Sequence, residues 1–287
     1  MPVEIVVASW NVHSGVDGWG RRFDVAATCR SIDADVIVLQ ETWSSDGGRG
    51  LASQVGESLG YHVQESTIAR AVMLPPAADP GRGWGPLPVG RPMYGPRVDK
   101  LSSRSATLGR GSERDGSASQ GVERGTVGLA VLSRLEVEHF ETWDLRRFRS
   151  GRSARRCAIA LQVVSDQPGS AEPRRLLVVG THLSHLRQGS LVQLWRLRRM
   201  LASHHDLEAP AVLAGDMNLP GPPLSALLPG WKRVVRGRTW PAWRPLAQSD
   251  HILIGSAFES NGSAGGGEVI RIQGSDHLPV RARLSIS

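Results

Sequence analysis

The sequence predicts an α/β fold in which two β-sheets pack together with helices outside them. Three observations predict it. The 287-residue chain carries many short runs rich in Val, Ile and Leu, bounded by Gly, Pro, Asp or Asn. Only three stretches have clear helical spacing. Polar motifs of functional type begin at residue 10 and end at residue 277, so one domain over 1–287 is the simplest division.

Taken in order, EIVVASWNV (4–12) reads as a buried strand of β-branched residues. Residues 21–33 place Phe23, Ala26, Ala27 and Ile32 on one helical face. DVIVLQ (35–40) is a second buried strand, 50–59 a helix and Tyr61–Ser66 a third strand. Such a β-α-β start puts Asn11 and Glu41 at the same end of two parallel strands. Residues 74–124 break the pattern with Pro, Gly, Ser and Arg, and read as a flexible insertion. Its Trp84, Met93 and Tyr94 pin the loop to the surface or stack on a substrate, the first being the commoner case. Strands resume with TVGLAVLSR (126–134), VEHFETWDL (137–145), CAIALQVV (157–164) and RRLLVVGTHL (174–183), the last two joined by the turn QPGSAEP. Residues 190–204 form a helix with Leu191, Leu194, Trp195 and Leu201 near one face and arginines elsewhere. AVLAGDMN (211–218) is another buried strand, and 219–248 is loop-rich. HILIG (251–255) and RARLSI (281–286) are the last strands, with NGSAGGGE (261–268) as a Gly-rich turn between them.

Bulk composition sets limits. Apolar residues make up 40 %, enough for a substantial core. No apolar run approaches the roughly 20 residues of a membrane span. The first strand already carries Asn11 and no cleavable leader pattern precedes it, so a cytoplasmic, monomeric protein is expected. Cys29 and Cys157 lack metal-binding spacing and are expected as reduced, buried thiols. Net charge is +7, unevenly spread. Residues 70–125 hold nine basic and five acidic residues, and 145–156 hold six Arg and no acid. The remainder, with 19 basic and 22 acidic residues, is slightly acidic. Basic segments around an acidic centre suit a polyanionic substrate beside a cation site. The alternative is that these arginines are solvated loops of an Arg-rich chain.

Six motifs sit at strand ends or starts: Trp10-Asn11, Gln40-Glu41, Thr181-His182, Asp216-Met217-Asn218, Ser249-Asp250 and Ser275-Asp276-His277. Each alone is bland. An Asp-His pair is usually a solvated loop, Gln-Glu can cap a helix, and a strand-end histidine is usually surface or core. Their number and order carry the inference, because residues just past buried strands converge at one sheet edge. An oxygen-rich set with few histidines favours Mg²⁺ or Mn²⁺ over zinc. Asp216 and Asn218, two apart in an extended segment, point to one side. His251 faces away from Asp250, His204 and His205 end a helix, and His13 and His185 flank other candidates.

The stretches SWNVHSG, DVIVLQETW, GLAVLSR, GTHLSH, LAGDMNLP, TWPAW with SDHILI, and SDHLPV resemble the endonuclease/exonuclease/phosphatase superfamily, which includes deoxyribonuclease I, exonuclease III, neutral sphingomyelinase and inositol polyphosphate 5-phosphatases. The resemblance covers roughly residues 3–66 and 125–287. It implies a deoxyribonuclease I-like four-layer α/β sandwich, two packed mixed sheets flanked by helices, with the active site at one end of the sheet pair. It also implies roles. Glu41, with Asn11 and Asp276, would bind Mg²⁺ or Mn²⁺. Asp216 would hold the attacking water, while Asn11, Asn218 and one of Arg155 or Arg156 would contact phosphate. Asp250 would orient His277, and His182 would donate to a phosphate oxygen or the leaving group. The general base stays open between Asp216 and the Asp250–His277 pair. The expected function is divalent-metal-dependent hydrolysis of phosphodiesters, nuclease-like on DNA or RNA. The alternative is a phosphatase or phospholipase-C-like hydrolase of a phospholipid, sphingolipid or inositol phosphate. An inactive binding scaffold would need a missing core residue, and none is missing.

Overall fold

The computed structural model describes residues 2–18, 20–73, 96–98, 123–147, 154–165, 173–185, 187–204, 210–256, 258 and 262–286. The strands run β1 (Val3–Asn11), β2 (Val36–Ser45), β3 (His62–Met73), β4 (Pro96–Val98), β5 (Glu123–Ser133), β6 (Glu136–Asp144), β7 (Cys157–Ser165), β8 (Arg174–His182), β9 (Ala211–Asp216), β10 (Trp231–Arg233), β11 (Asp250–Gly255), β12 (Gly262–Val269) and β13 (Val280–Ile286). The helices are α1 (Val25–Ile32), α2 (Leu51–Leu59), α3 (Arg187–Ser203) and α4 (Gly221–Leu227). One sheet has the order β12-β13-β1-β2-β5-β3-β4, the other β10-β11-β9-β8-β7-β6. Both are mixed: β1 pairs parallel with β2, and β8 parallel with β9, among antiparallel neighbours.

The near-continuous apolar strands follow from burial on both faces. Alternate residues of each strand go to opposite layers. Ile5 and Val7 of β1 meet Leu176 and Val178 of β8 between the sheets. Val6, Ala8 and Trp10 of β1 instead pack under α1 and α2. On the far side, Leu177 and Val179 of β8 pack under Leu194, Leu197 and Leu201 of α3 and Leu224 of α4. The result is the expected order of helices, sheet, sheet, helices. Asp24 caps α1 by accepting from the Ala27 N–H at 2.9 Å, and Asp33 ends it in a left-handed conformation. Both cysteines are buried and free.

Several local expectations change. The glycine-rich segment expected as a turn is strand β12, paired along β13 with a bulge between Ala264 and Gly266. An exposed edge position tolerates glycine because little side-chain packing is at stake there. The loop-rich 219–248 contains short α4 and β10. β3 runs past Ser66 to Met73, pairing with β4 at Ala71–Met73. Most of 74–124 lies outside the described residues. In α3 the buried face is Leu194, Leu197 and Leu201, whereas Leu191 and Trp195 point to solvent. Helical periodicity locates two stripes here, and only the neighbouring strands select which one is covered.

Candidate active site

All the strand-borne candidates lie at one end of the layer between the sheets. Parallel pairing sets Asn11 opposite Gln40 and His182 opposite Asp216. Antiparallel β11 begins where β9 ends, so Asp250 pairs with Asp216. Asn11, His182, Asp216 and Asp250 fall on the same alternating face as the inter-sheet core.

Glu41 arrives differently. The pattern of β2 would send it to the outer face with Ile37 and Leu39. Pairing with β5 slips between Gln40 and Thr42, leaving Glu41 as the extra residue of a bulge with φ 57°. The bulge re-aims its carboxylate into the pocket. Among the described residues, four of the six non-glycine positions with left-handed φ are at or beside this site: His13, Ser14, Glu41 and Asn218. Such conformations cost about 1–3 kcal/mol each and concentrate where geometry serves function.

The pocket has a volume near 620 Å³. Asp216 lies at its floor, buried, and three nitrogen groups converge on its Oδ2. The Asn11 side-chain amide donates at 3.2 Å, and the Nε2 atoms of His182 and His277 stand at 3.7 and 3.9 Å. Its Oδ1 accepts from the Asn218 N–H at 3.0 Å. Burial first, then the Asp250 charge, push the Asp216 carboxyl up to about 7.

The two histidines differ in charge. Arg156, buried, sets its guanidinium 2.9 Å from His182 Nδ1. A guanidinium only donates, so Nδ1 accepts and the His182 proton sits on Nε2, facing Glu41 Oε1 at 3.9 Å and Asp216. Burial, with the positive charges of Arg156 and His277, holds His182 well below its usual range, as a neutral donor. His277 Nδ1 lies 2.9 Å from Asp250 Oδ2, which also accepts from Ser249 Oγ at 2.9 Å. Burial opposes its charge, but the Asp250, Asp276 and Asp216 carboxylates together raise His277 well above the ordinary value, so it is an imidazolium at neutral pH. The Asp276 carboxyl is lowered: burial alone would raise it, and His13, His277 and the Trp240 indole outweigh that.

The expected residues Asn11, Glu41, Arg156, His182, Asp216, Asn218, Asp276 and His277 all line the pocket. Asp250 does not; it lies behind His277, fully buried. Arg155 is a correction: it is exposed and paired with Asp144 at 3.1 Å, because adjacent residues entering a strand point to opposite sides. Asn218 reaches the pocket by another route than the extended one expected: the strand ends at Asp216, Asn218 has φ 50°, and one N–H of its side-chain amide donates to the Leu183 carbonyl at 3.0 Å. His251 faces away, 2.9 Å from the Leu219 carbonyl.

Sequence reasoning passed over several contributors. Trp240 Nε1 donates to Asp276 Oδ2 at 3.2 Å. Ser275 Oγ donates to the Asn11 carbonyl at 2.6 Å and so ties the 275–277 loop to β1. Ser249 and Ser275 each stand just before a site Asp, a signal present in the sequence. His13 and His185, expected only to flank the candidates, both line the pocket, with His13 Nδ1 3.7 Å from Asp276 Oδ1.

Two groupings could hold a cation. Asp216, Asp250 and His277 offer atoms within 4.8 Å of one another. That set is already knitted by the Asp250–His277 bond, and a cation would meet an imidazolium. The Glu41 carboxylate is a quarter exposed to the pocket and accepts no hydrogen bond among the described residues. With Asp276 and the Asn11 amide in the same pocket it gives an all-oxygen donor set, which fits a hard divalent ion.

The family model described as "Endonuclease/Exonuclease/phosphatase family" matches residues 8–277. None of the curated protein sequences matches the chain. Among solved structures, an endonuclease/exonuclease/phosphatase from Beutenbergia cavernae is 21 % identical, with TM-score 0.60, covering 99 % of this chain and 72 % of that one. A humanized D. rerio TDP2 is 16 % identical, TM-score 0.58, with 98 % of each chain covered. The Bacteroides thetaiotaomicron mannosyl-6-phosphatase is 13 % identical, TM-score 0.57, covering 98 % of this chain and 99 % of that one. At such identities these likenesses speak for the fold. It is the family pattern, running from the second half of β1 to His277, that decides membership: this chain belongs to the endonuclease/exonuclease/phosphatase family, most of whose members are metal-dependent phosphoesterases.

Proposed function

We propose that the chain hydrolyses phosphodiesters, with nucleic acid as the first candidate substrate, using Mg²⁺ or Mn²⁺. The observation that carries the reading is the Asp216 carboxylate flanked by a neutral histidine donor and a histidine cation, His182 and His277. Phosphoryl transfer to water needs a proton acceptor for the water and donors for the developing oxyanion. Asp216, with its carboxyl near 7, accepts the proton. His277 starts as an imidazolium, offsets phosphate charge and gives its Nε2 proton to the leaving oxygen, and the proton that Asp216 takes from the water is the one that restores it. Asp250 fixes its orientation and charge. His182 donates Nε2–H to a phosphate oxygen, and Arg156 behind it holds that tautomer. A divalent ion held by Glu41, Asp276 and Asn11 would supply further charge stabilisation at the phosphate oxygens.

A second reading, a lipid or sugar phosphate, is favoured by one feature. Leu219, Pro220, Trp240 and Ala247 line the same pocket and give it an apolar wall. The test is hydrolysis of bis-p-nitrophenyl phosphate, plasmid DNA, RNA, sphingomyelin and inositol phosphates, with Mg²⁺, Mn²⁺ or EDTA. Metal-dependent diester cleavage abolished in Glu41→Ala and Asp216→Asn is expected. Full turnover in excess EDTA would overturn the reading.

A further inference from the structure

The active site leaves α3 unused, and α3 carries an unusual surface. Among the described residues five large apolar side chains are exposed, and three of them lie together here: Leu191 (37 %), Val192 (37 %) and Trp195 (53 %). At spacings of three and four they form one stripe, which Arg198 and Arg199 continue. The Arg199 guanidinium lies over the Trp195 ring at 4.9 Å. The opposite face, Leu194, Leu197 and Leu201, is fully engaged with the sheet, so the stripe is not a misplaced core.

The helix itself carries charge of one sign. Residues 187–203 include four arginines and no acid. The helix is bound to the arginine-rich segment after β6: Gln193 Nε2 donates to the Arg146 carbonyl at 3.0 Å, and Arg196 to the Leu145 carbonyl at 2.9 Å. Exposed Arg146 and Arg147 thereby join the helix. The acids of β6 on this side are occupied, Glu141 by His204 and Asp144 by Arg155. Gln193 also accepts from the Ser184 N–H at 2.8 Å, so the helix is fastened to the turn that follows His182.

We propose that α3 is a docking helix for an anionic bilayer surface. Aliphatic side chains and a tryptophan enter the headgroup region, and a flanking row of arginines meets lipid phosphates. The aliphatic pair decides between partners. Nucleic acid would use the arginines and Trp195, and would leave Leu191 and Val192 against water. A lipid interface takes all three apolar residues. The proposal rests on this surface alone and does not depend on which ester the pocket cleaves.

The test is co-sedimentation of the full chain with phosphatidylcholine vesicles and with mixed phosphatidylcholine–phosphatidylglycerol vesicles. The wild type, Leu191→Ser/Trp195→Ser and Arg198→Gln/Arg199→Gln are compared, with circular dichroism confirming each fold. Binding to the mixed vesicles only, weakened by salt and reduced at least roughly fivefold in both variants, is expected. Equal binding by all three proteins would assign the effect to diffuse positive charge and overturn the proposal. So would absence of vesicle binding by the wild type. Loss of single-stranded oligonucleotide binding in the Leu191→Ser/Trp195→Ser variant, with vesicles ignored throughout, would overturn it in favour of a nucleic-acid surface.

Discussion

Asp216 stands between two histidines of different charge, and its environment ties activity to stability. Its folded value near 7 exceeds the ordinary 3.8. Between those values the folded chain holds a proton that the unfolded chain has released, so this residue's contribution makes stability fall as pH rises from about 4 to about 7. Asp216→Asn removes that penalty. In EDTA it should raise the stability measured by urea unfolding at pH 8 by on the order of 1–3 kcal/mol, with a smaller gain at pH 4. It should also abolish turnover; an equal gain at both pH values would mean that Asp216 ionises freely. The Asp250–His277 pair makes a second prediction. Asp250→Asn should lower turnover by roughly 10²–10⁴, since an amide cannot sustain the imidazolium. His277→Ala should cost at least as much, and the double mutant little more than the worse single one, as for residues acting as a unit. Losses that multiply in steady-state kinetics would show two independent roles.

At the scale of elements, strand ends and irregularities place the chemistry. The bulge in β2 delivers Glu41, and β8 and β9 lie close enough to align His182 with Asp216. Gly215 permits that approach. It has φ 155°, and a Cβ there would lie 2.0 Å from the Thr181 carbonyl oxygen. The contact is with backbone and cannot be relieved by a rotamer change. Gly215→Ala should therefore destabilise by at least about 2 kcal/mol, seen as a lower urea midpoint, and should impair turnover as well. A neutral effect would show that β8 and β9 can separate there without cost. The sequence placed most strands, including parallel β1 and β2, because their apolar runs are continuous and well punctuated. It misread Gly262–Val269 as a turn, since a glycine-rich edge strand has no apolar pattern and is held by its neighbour's ladder. It also misassigned the outward stripe of α3, because a helix with two apolar stripes does not reveal which one the sheet covers.

At the scale of the whole molecule, the hydrophobic layers and the candidate cation ligands occupy different places. The inter-sheet core and both helix-covered layers close around apolar side chains, and the candidate cation ligands sit at the rim. EDTA should therefore leave circular dichroism unchanged while turnover disappears. Added Mg²⁺ should restore activity and raise the melting temperature in a concentration-dependent way, as any ligand selective for the folded state does. Loss of ellipticity in chelator would make the ion part of the fold. Among the described residues no helix is long and apolar enough to cross a membrane.

The sequence by itself determined the layer architecture and most of the identities at the site. Alternation and run length encode which residues are buried, and the polar residues ending those runs must gather where the strands end. Thus Asn11, Glu41, His182, Asp216 and His277 were legible before any coordinates. Only the tertiary structure decided how they are arranged. Arg156 rather than Arg155 enters the pocket because of the phase at which β7 begins. Asp250 supports His277 from behind because β11 runs antiparallel to β9. Trp240 and His13 join through loops whose course no periodicity describes. The charge states of His182 and His277 come from burial beside an arginine in one case and beside carboxylates in the other, and those neighbours are distant in sequence. Burial and long-range pairing are properties of the assembled sheets, so the surroundings that set the proposed chemistry exist only there.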